Sequence, residues 1–225
     1  MNSDYTTLTT QALRLLCERC PRLIGSCYWA GTSAISLEVL RHRQSFDLDF
    51  HTLKALADTR PLLAEIKAAF PGSFALTQSP DEYGSGFQGV LTLPGGEQIT
   101  LEVLANYEET ATSDLTSSHL APPLQRVALE RYLADKIQCV VERAEARDLV
   151  DIHAVLRNDS ALIPLAKQLL AEQDTTIAAE RLLEWTDDRI AADLKAYTDA
   201  PVPDAIQTRD RLLTWLKEHA KEDCP

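Results

Sequence analysis

Residues Phe46 to Phe50 alternate apolar and acidic side chains with a period of two, and this short run constrains the fold more than any other. A period of two is a strand pattern, in which residues i and i+2 project from the same face. Asp47 and Asp49 therefore point together, while Leu48 and Phe50 anchor the opposite face in a core. Neighbouring carboxylates raise each other's pKa unless a cation lies between them, and oxygen-only donors suit a hard ion such as Mg²⁺.

The surrounding segments supply the rest of a sheet. Gly31 and Thr32 fall between an apolar run, Ile24 to Ala30, and the helical spacing of Ile35, Leu37, Val39 and Leu40. A strand passes into a helix there, and backbone donors at a helix start suit a phosphate. Residues 87–93 and 97–104 flank Pro94-Gly95-Gly96 and predict a β-hairpin. Glu102, between Leu101 and Val103, shares a face with Thr100 and Leu104 and needs solvent or a ligand there. Further expected elements are a helix over 3–20 capped by Thr9 or an earlier Ser/Thr, with Ala12, Leu13, Leu16 and Cys17 on one face, and a first strand from Leu23 to Ala30. A helix from about Thr32 to Arg41, another over 60–70 opened by Pro61, and a short strand from Phe74 to Thr77 complete this half.

Residues 105–122 are polar, Ser/Thr-rich and end at Pro122-Pro123, which predicts a linker. From Leu124 the spacing of Val127, Leu129, Leu133, Ile137, Val140 and Val141 is helical and no strand pattern recurs. Breaks are expected at Asn158-Asp159, near Asp174, at Trp185 to Asp188 and at Pro201 to Pro203. The predicted organisation is an α/β domain over 1–110, a linker over 111–123 and an α-helical domain over 124–225. If the helix around residue 140 is continuous, Lys136, Arg143 and Arg147 lie within about 20° of one line and form a cationic face suited to a triphosphate. The alternative is a solvated face paired with Asp135, Glu142 and Glu145.

With 45% hydrophobic residues the chain can bury a core, and its net charge of −12 excludes nucleic-acid binding by bulk charge alone. Cys17, Cys20, Cys27, Cys139 and Cys224 show no paired CxxC or histidine cluster. No zinc site is expected, and Cys17 and Cys20 read as small buried apolar groups. The amino terminus lacks a charged-then-apolar leader and no segment approaches eighteen consecutive apolar residues, so a reduced, cytoplasmic protein without a membrane partner is expected.

AGTSA (Ala30 to Ala34) and RHRQSFDLDF (Arg41 to Phe50) resemble GGTAL and GHRxSxDLDF, the motifs of the AbiEii-type nucleotidyltransferase toxins within the DNA polymerase β-like nucleotidyltransferase superfamily. Lys136, Arg143 and RDLVD (Arg147 to Asp151) resemble the same family's later lysine, arginine and RDxxD element. Ala30 and Arg41 stand where the family motif has glycine. The resemblance covers about residues 22 to 157 and implies an α+β fold: a polymerase β-like mixed sheet with flanking helices, then an α-helical C-terminal lobe. It further implies Mg²⁺-dependent transfer of a nucleotide from an NTP to an acceptor such as a tRNA end, by a toxin of a type IV toxin-antitoxin or abortive-infection system with a cognate antitoxin acting at the gene level.

Carried onto this chain, the resemblance makes Asp47, Asp49 and Glu102 ligands for two Mg²⁺ ions and Glu102 or Asp151 the base. Gly31, Thr32, Arg43, Ser45, Lys136, Arg143, Arg147 and Asp148 would contact the nucleotide, with Lys136 and Arg143 facing Asp47 and Asp49 across a cleft. Two alternatives stay open: a nucleotide-binding regulatory module without catalysis, suggested by Ala30 and Arg41, and phosphoryl transfer from the same metal site.

Overall fold

The computed structural model describes residues 3–45, 47–143, 145–197 and 200–222. Phe46 and Cys224, to which expectations attach above, lie outside them. The chain divides into two compact units, Met1–Ala128 and Leu129–Pro225.

The first unit is a seven-stranded mixed sheet with helices. Its elements are α1 (Ser3–Arg19), α2 (Pro21–Ser26), β1 (Cys27–Ala30), α3 (Gly31–Ile35), a π-helical turn (Ser36–Leu40), β2 (Asp47–Ala55), α4 (Arg60–Ala69), β3 (Phe74–Gln78), β4 (Gly86–Thr92), β5 (Gln98–Asn106), β6 (Leu115–Ser117) and β7 (Gln125–Val127). The strand order is β3-β4-β5-β2-β1-β7-β6. The β2/β5 and β1/β7 pairs are parallel, and the other pairs are antiparallel. Alternation decides which face is covered. Leu48, Phe50, Leu101 and Val103 are fully buried, whereas Asp47, Asp49, Thr100 and Glu102 are half-buried on the opposite face. Ala12, Leu13 and Leu16 of α1 are completely buried as expected, and α1 packs on β5. Thr9 is not a cap: it lies inside α1 and is buried.

The expected strand from Leu23 is shorter than its apolar pattern suggests, because residues 21–26 form α2 and only Cys27–Ala30 extend. Pro21 opens that turn, and the Glu65 carboxylate of α4 accepts hydrogen bonds from the Arg22 and Leu23 amides at 2.9 and 2.8 Å. A carboxylate at a helix start satisfies donors that the helix itself leaves open. The hairpin forms as expected. Leu93 N donates to Glu97 O at 2.8 Å, and Gly96 takes φ +92° in the turn.

Strand structure does recur after residue 110. Residues 115–117 and 125–127 are β6 and β7, and α5 begins only at Leu129. Each strand is three residues long, too short for a readable alternation, and β7 is held by a buried ion pair. The Glu38 carboxylate accepts from Arg126 Nε at 2.7 Å and from the His119 and Leu120 amides at 3.0 and 3.1 Å, and also from Ser118 Oγ. Burial alone would raise the Glu38 carboxyl, but these donors hold it below the usual carboxylate range.

Arg41 ends the π-helical turn with φ +50° and an exposed side chain. A side chain in the left-handed region is strained, so the glycine of the family motif answers a backbone need. Arg41→Gly should raise stability by about 0.5–1 kcal/mol, read as a higher denaturant midpoint at unchanged slope, since relief of the left-handed penalty exceeds the entropy that glycine adds to the unfolded chain. Ala30 meets no such conflict. Its φ of −101° and ψ of −172° are ordinary extended backbone.

The second unit contains α5 (Leu129–Glu142), α6 (Ala146–Asn158), α7 (Ile163–Ala171), α8 (Thr175–Glu184), α9 (Asp187–Leu194) and α10 (Val202–Glu222). The helix breaks fall where Asn158-Asp159, Asp174, Trp185 to Asp188 and Pro201 predict them. Asp174 caps α8 by accepting from the Thr176 and Ile177 amides. Among the described residues no helix is long and apolar enough to cross a membrane. Cys17, Cys20, Cys27 and Cys139 are free thiols, and burial pushes Cys20 and Cys27 up to about 12.

His153 of α6 meets Thr208 Oγ1 at 3.3 Å, and its Nε2 lies 3.6 Å from Asp204 on α10. Burial holds the imidazole below its ordinary 6.5 despite the Asp204 charge. The unfolded chain therefore takes the proton first. The stability contribution is present above 6.5 and is lost as pH falls through the lower folded value. His153→Gln should flatten the fall in melting temperature on acidification through 6.5; an unchanged pH profile would count against this role.

Candidate active site

Three strands and one turn bring the candidate residues of the first unit together. β1 pairs antiparallel with β2 so that Ala30 lies opposite Asp49, and β2 pairs parallel with β5 so that Asp49 lies opposite Glu102 and Asp47 opposite Thr100. The period of two keeps Asp47, Asp49 and Glu102 on the half-exposed face, and β4 places Gln88 on the other side of Glu102. Burial first, and then the Asp47 charge, raise the Glu102 pKa above the usual carboxylate range.

Gly31 follows Ala30 directly and turns the chain into α3 with φ +69°. A Cβ on Gly31 would stand 2.0 Å from Asp49 Oδ2 and 2.9 Å from its Cγ. Only a residue without a side chain lets this turn lie against the Asp49 carboxylate. Gly31→Ala should destabilise by about 2 kcal/mol through the left-handed backbone and the contact with Asp49. An alanine variant with wild-type stability would show that the turn can move aside.

Thr32 and Arg43 are both buried, and Arg43 Nη2 donates to Thr32 Oγ1 at 3.0 Å while Nη1 donates to the Gln44 carbonyl at 3.2 Å. Ser36 Oγ donates to the Arg43 carbonyl. These bonds tie the loop before β2 to the Gly31-Thr32 turn. Ser45 lies in that loop, half-buried. His51 was not singled out from the sequence, yet it shares the face of Asp47 and Asp49 and packs edge-on to Tyr28 with ring centres 5.8 Å apart. Its place two residues after Asp49 in the same alternation is the signal that could have found it.

The cations of the second unit do not share one helix face. α5 ends at Glu142 and α6 starts at Ala146, so the continuous helix that would align Lys136, Arg143 and Arg147 is absent. The bend folds α6 back on α5 and creates a different cluster. Lys136 Nζ lies 2.8 Å from Asp148 Oδ1 and 2.9 Å from Asp151 Oδ2. Arg143 grips Asp148 with both arms, Nη2 at 2.8 Å and Nε at 3.1 Å. Asp148 and Asp151 are completely buried and Lys136 nearly so, while the Arg143 side chain is 42% exposed. Burial opposes the Arg143 charge, but the Asp148 hydrogen bond and charge hold its pKa above the ordinary value. Arg147 pairs with Glu145 at 2.7 Å and stacks on Tyr197.

Among the described residues no three His, Cys, Asp or Glu side chains already form a metal-coordinating cluster. The donor chemistry on the sheet nonetheless fits a hard divalent cation. Three carboxylates share a face of two adjacent strands, and the Asp47 charge acting on Glu102 is a repulsion that a cation would relieve.

The sequence matches the family described as nucleotidyl transferase AbiEii toxin, type IV TA system, over residues 30–213. A search of curated proteins finds no match. Among solved structures, the fold is similar to the nucleotidyltransferase toxin MenT4 from Mycobacterium tuberculosis H37Rv, at a TM-score of 0.61 and 18% identity over 96% of this chain and 85% of that one. JHP933 from Helicobacter pylori aligns at a TM-score of 0.51 and 18% identity over 97% and 93% of the two chains. A putative nucleotidyltransferase from H. pylori aligns at 0.50 and 20% over 99% and 97%.

Proposed function

The chain belongs to the AbiEii nucleotidyltransferase toxin family, and from that premise we propose that it transfers a nucleotide from an NTP to an RNA acceptor, such as a tRNA end, at the carboxylate face of its sheet. One observation carries this reading: the register sets Asp49 opposite Glu102 with Gly31 against Asp49. Asp47, Asp49 and Glu102 would hold Mg²⁺, which when bound supplies charge to the triphosphate and lowers the pKa of the attacking hydroxyl.

The chain's own groups do the positioning. Gly31 and Thr32, at the start of α3, would present backbone donors to phosphate, and Arg43 Nη2 holds the Thr32 hydroxyl at 3.0 Å. Glu102 is the better of the two candidate bases. It is half-exposed on the carboxylate face opposite Asp49, whereas Asp151 is completely buried against the Lys136 ammonium. Arg143 carries the exposed positive charge of its cluster and is assigned to phosphate, with Lys136, Asp148 and Asp151 orienting it and Arg147 beside it. The expected biological setting is a type IV toxin countered by an antitoxin acting at the gene level.

Incubation with Mg²⁺, total RNA and α-labelled or γ-labelled NTP tests the assignment. Label entering RNA from the α position alone is the expected result. Transfer of the γ label would establish phosphoryl transfer instead, and NTP binding without transfer of either label would favour a regulatory module.

A further inference from the structure

Outside the carboxylate face, the first unit displays large apolar side chains to solvent in one place. Among the described residues five large hydrophobic side chains are exposed, and three of them, Leu56 at 72%, Tyr83 at 76% and Tyr107 at 87%, line one cavity of about 180 Å³. Leu104 forms part of its wall. Exposed aromatic and aliphatic groups gathered around one concavity mark an interaction site more often than a chance surface.

The cavity is built on a rigid frame. Leu56 N donates to Asn106 O at 2.7 Å, Ala105 N to Ser85 O at 2.7 Å, and Thr59 N to Gly84 O at 2.9 Å, so three loops are stitched together by backbone bonds. Asp81 tightens the middle loop, accepting from the Tyr83 and Ser85 amides at 3.1 and 2.8 Å. Leu56 itself sits at φ +48°, a strained conformation that points a leucine outward and buries nothing. The frame holds the apolar groups open before any partner arrives, which lowers the entropy cost of binding.

Charge selects the partner. Exposed Asp81, Glu82, Glu108 and Glu109 flank Tyr83 and Tyr107 in the chain, against Lys54, while Asp58 and Arg60 pair with each other at 2.8 Å. Acidic residues beside the anchors in the chain repel a phosphate backbone and attract cations. We propose that this cavity docks a partner protein through a short segment in which an aliphatic or aromatic anchor is flanked by Lys or Arg. The surface adjoins the carboxylate face, since Leu104 of its wall lies two residues beyond Glu102 on the same side of β5, but the proposal does not depend on the nucleotidyl-transfer assignment.

The test is titration of the isotope-labelled full chain, followed by amide NMR shifts, with three probes: a lysine-flanked Leu-Trp hexapeptide, its glutamate-flanked counterpart and a uridine hexanucleotide. The basic peptide should shift the amides of residues 56–57, 83–85 and 104–107, and the acidic peptide should not. Leu56→Ser with Tyr107→Ser, both at exposed positions, should weaken the basic peptide about tenfold without altering melting temperature or transfer activity. Three results would overturn the proposal: shifts spread over the acidic surface generally, binding indifferent to the double substitution, or the same amides answering to the oligonucleotide rather than the peptide.

Discussion

Asp49→Asn is expected to lower nucleotide transfer by about three orders of magnitude, the loss typical when one preorganised charge-stabilising group is removed from a transfer site. The expectation rests on the central place of Asp49. It has Ala30 on one side in the register and Glu102 on the other, and Gly31 is pressed against its carboxylate. Asparagine has the same shape and fits beside Gly31, so the fold should survive while one negative charge is lost. Fewer anions would then hold the metal whose charge would stabilise the triphosphate in the transition state. Single-turnover rates read alongside thermal melts separate the two effects. A folded variant retaining more than a tenth of the wild-type rate would remove Asp49 from the chemistry.

Asp148→Ala should produce the largest loss of stability, about 3 kcal/mol or more, because it strips a completely buried carboxylate from two cations. Lys136 would remain almost wholly buried, with Asp151 left to balance it. The cost is the desolvation of two cations that Asp151 alone only partly offsets, whatever the gross attraction of the pairs. Arg143, being partly exposed, can turn to water and should contribute less. Denaturant unfolding followed by the tryptophans gives the number. A loss under about 1 kcal/mol would mean that the second unit relaxes to hydrate Lys136. The same logic bears on Lys136→Ala, where a drop in nucleotide affinity has meaning only once the folded fraction is known.

Patterns that repeat over several residues were readable from the chain, and short or long-range ones were not. The alternation at Asp47 to Phe50 and at Thr100 to Leu104 identified both acidic strands and their inward faces, since each samples the period at least twice. Proline and glycine placed the hairpin turn and the helix breaks. The start of the first strand was misplaced because Leu23 and Ile24 suit a strand or a helix equally, and Glu65, some forty residues away, decides for a helix by capping its amides. β7 escaped notice because three residues carry no period and its partner, Glu38, is 88 positions distant. In the same way, three cations at helical spacing suggested one face, but the bend between Glu142 and Ala146 turned Lys136 toward Asp148 and Asp151. Of the candidate site, the residue types and their faces were legible. The burial of Arg43 behind Thr32 required the packed sheet, whereas the place of His51 beside the carboxylates follows from the same alternation that sets Asp47 and Asp49.

The central claim is that the carboxylate face of β2 and β5 binds a divalent cation together with an NTP. Paramagnetic broadening of amide signals by Mn²⁺, in the presence of a non-hydrolysable NTP analogue, tests it most directly. The wild-type chain should lose the signals of Gly31, Asp47, Leu48, Asp49 and Glu102 at low Mn²⁺, and Asp49→Asn should keep them. Broadening centred elsewhere in the chain, or identical in the two proteins, would contradict the assignment.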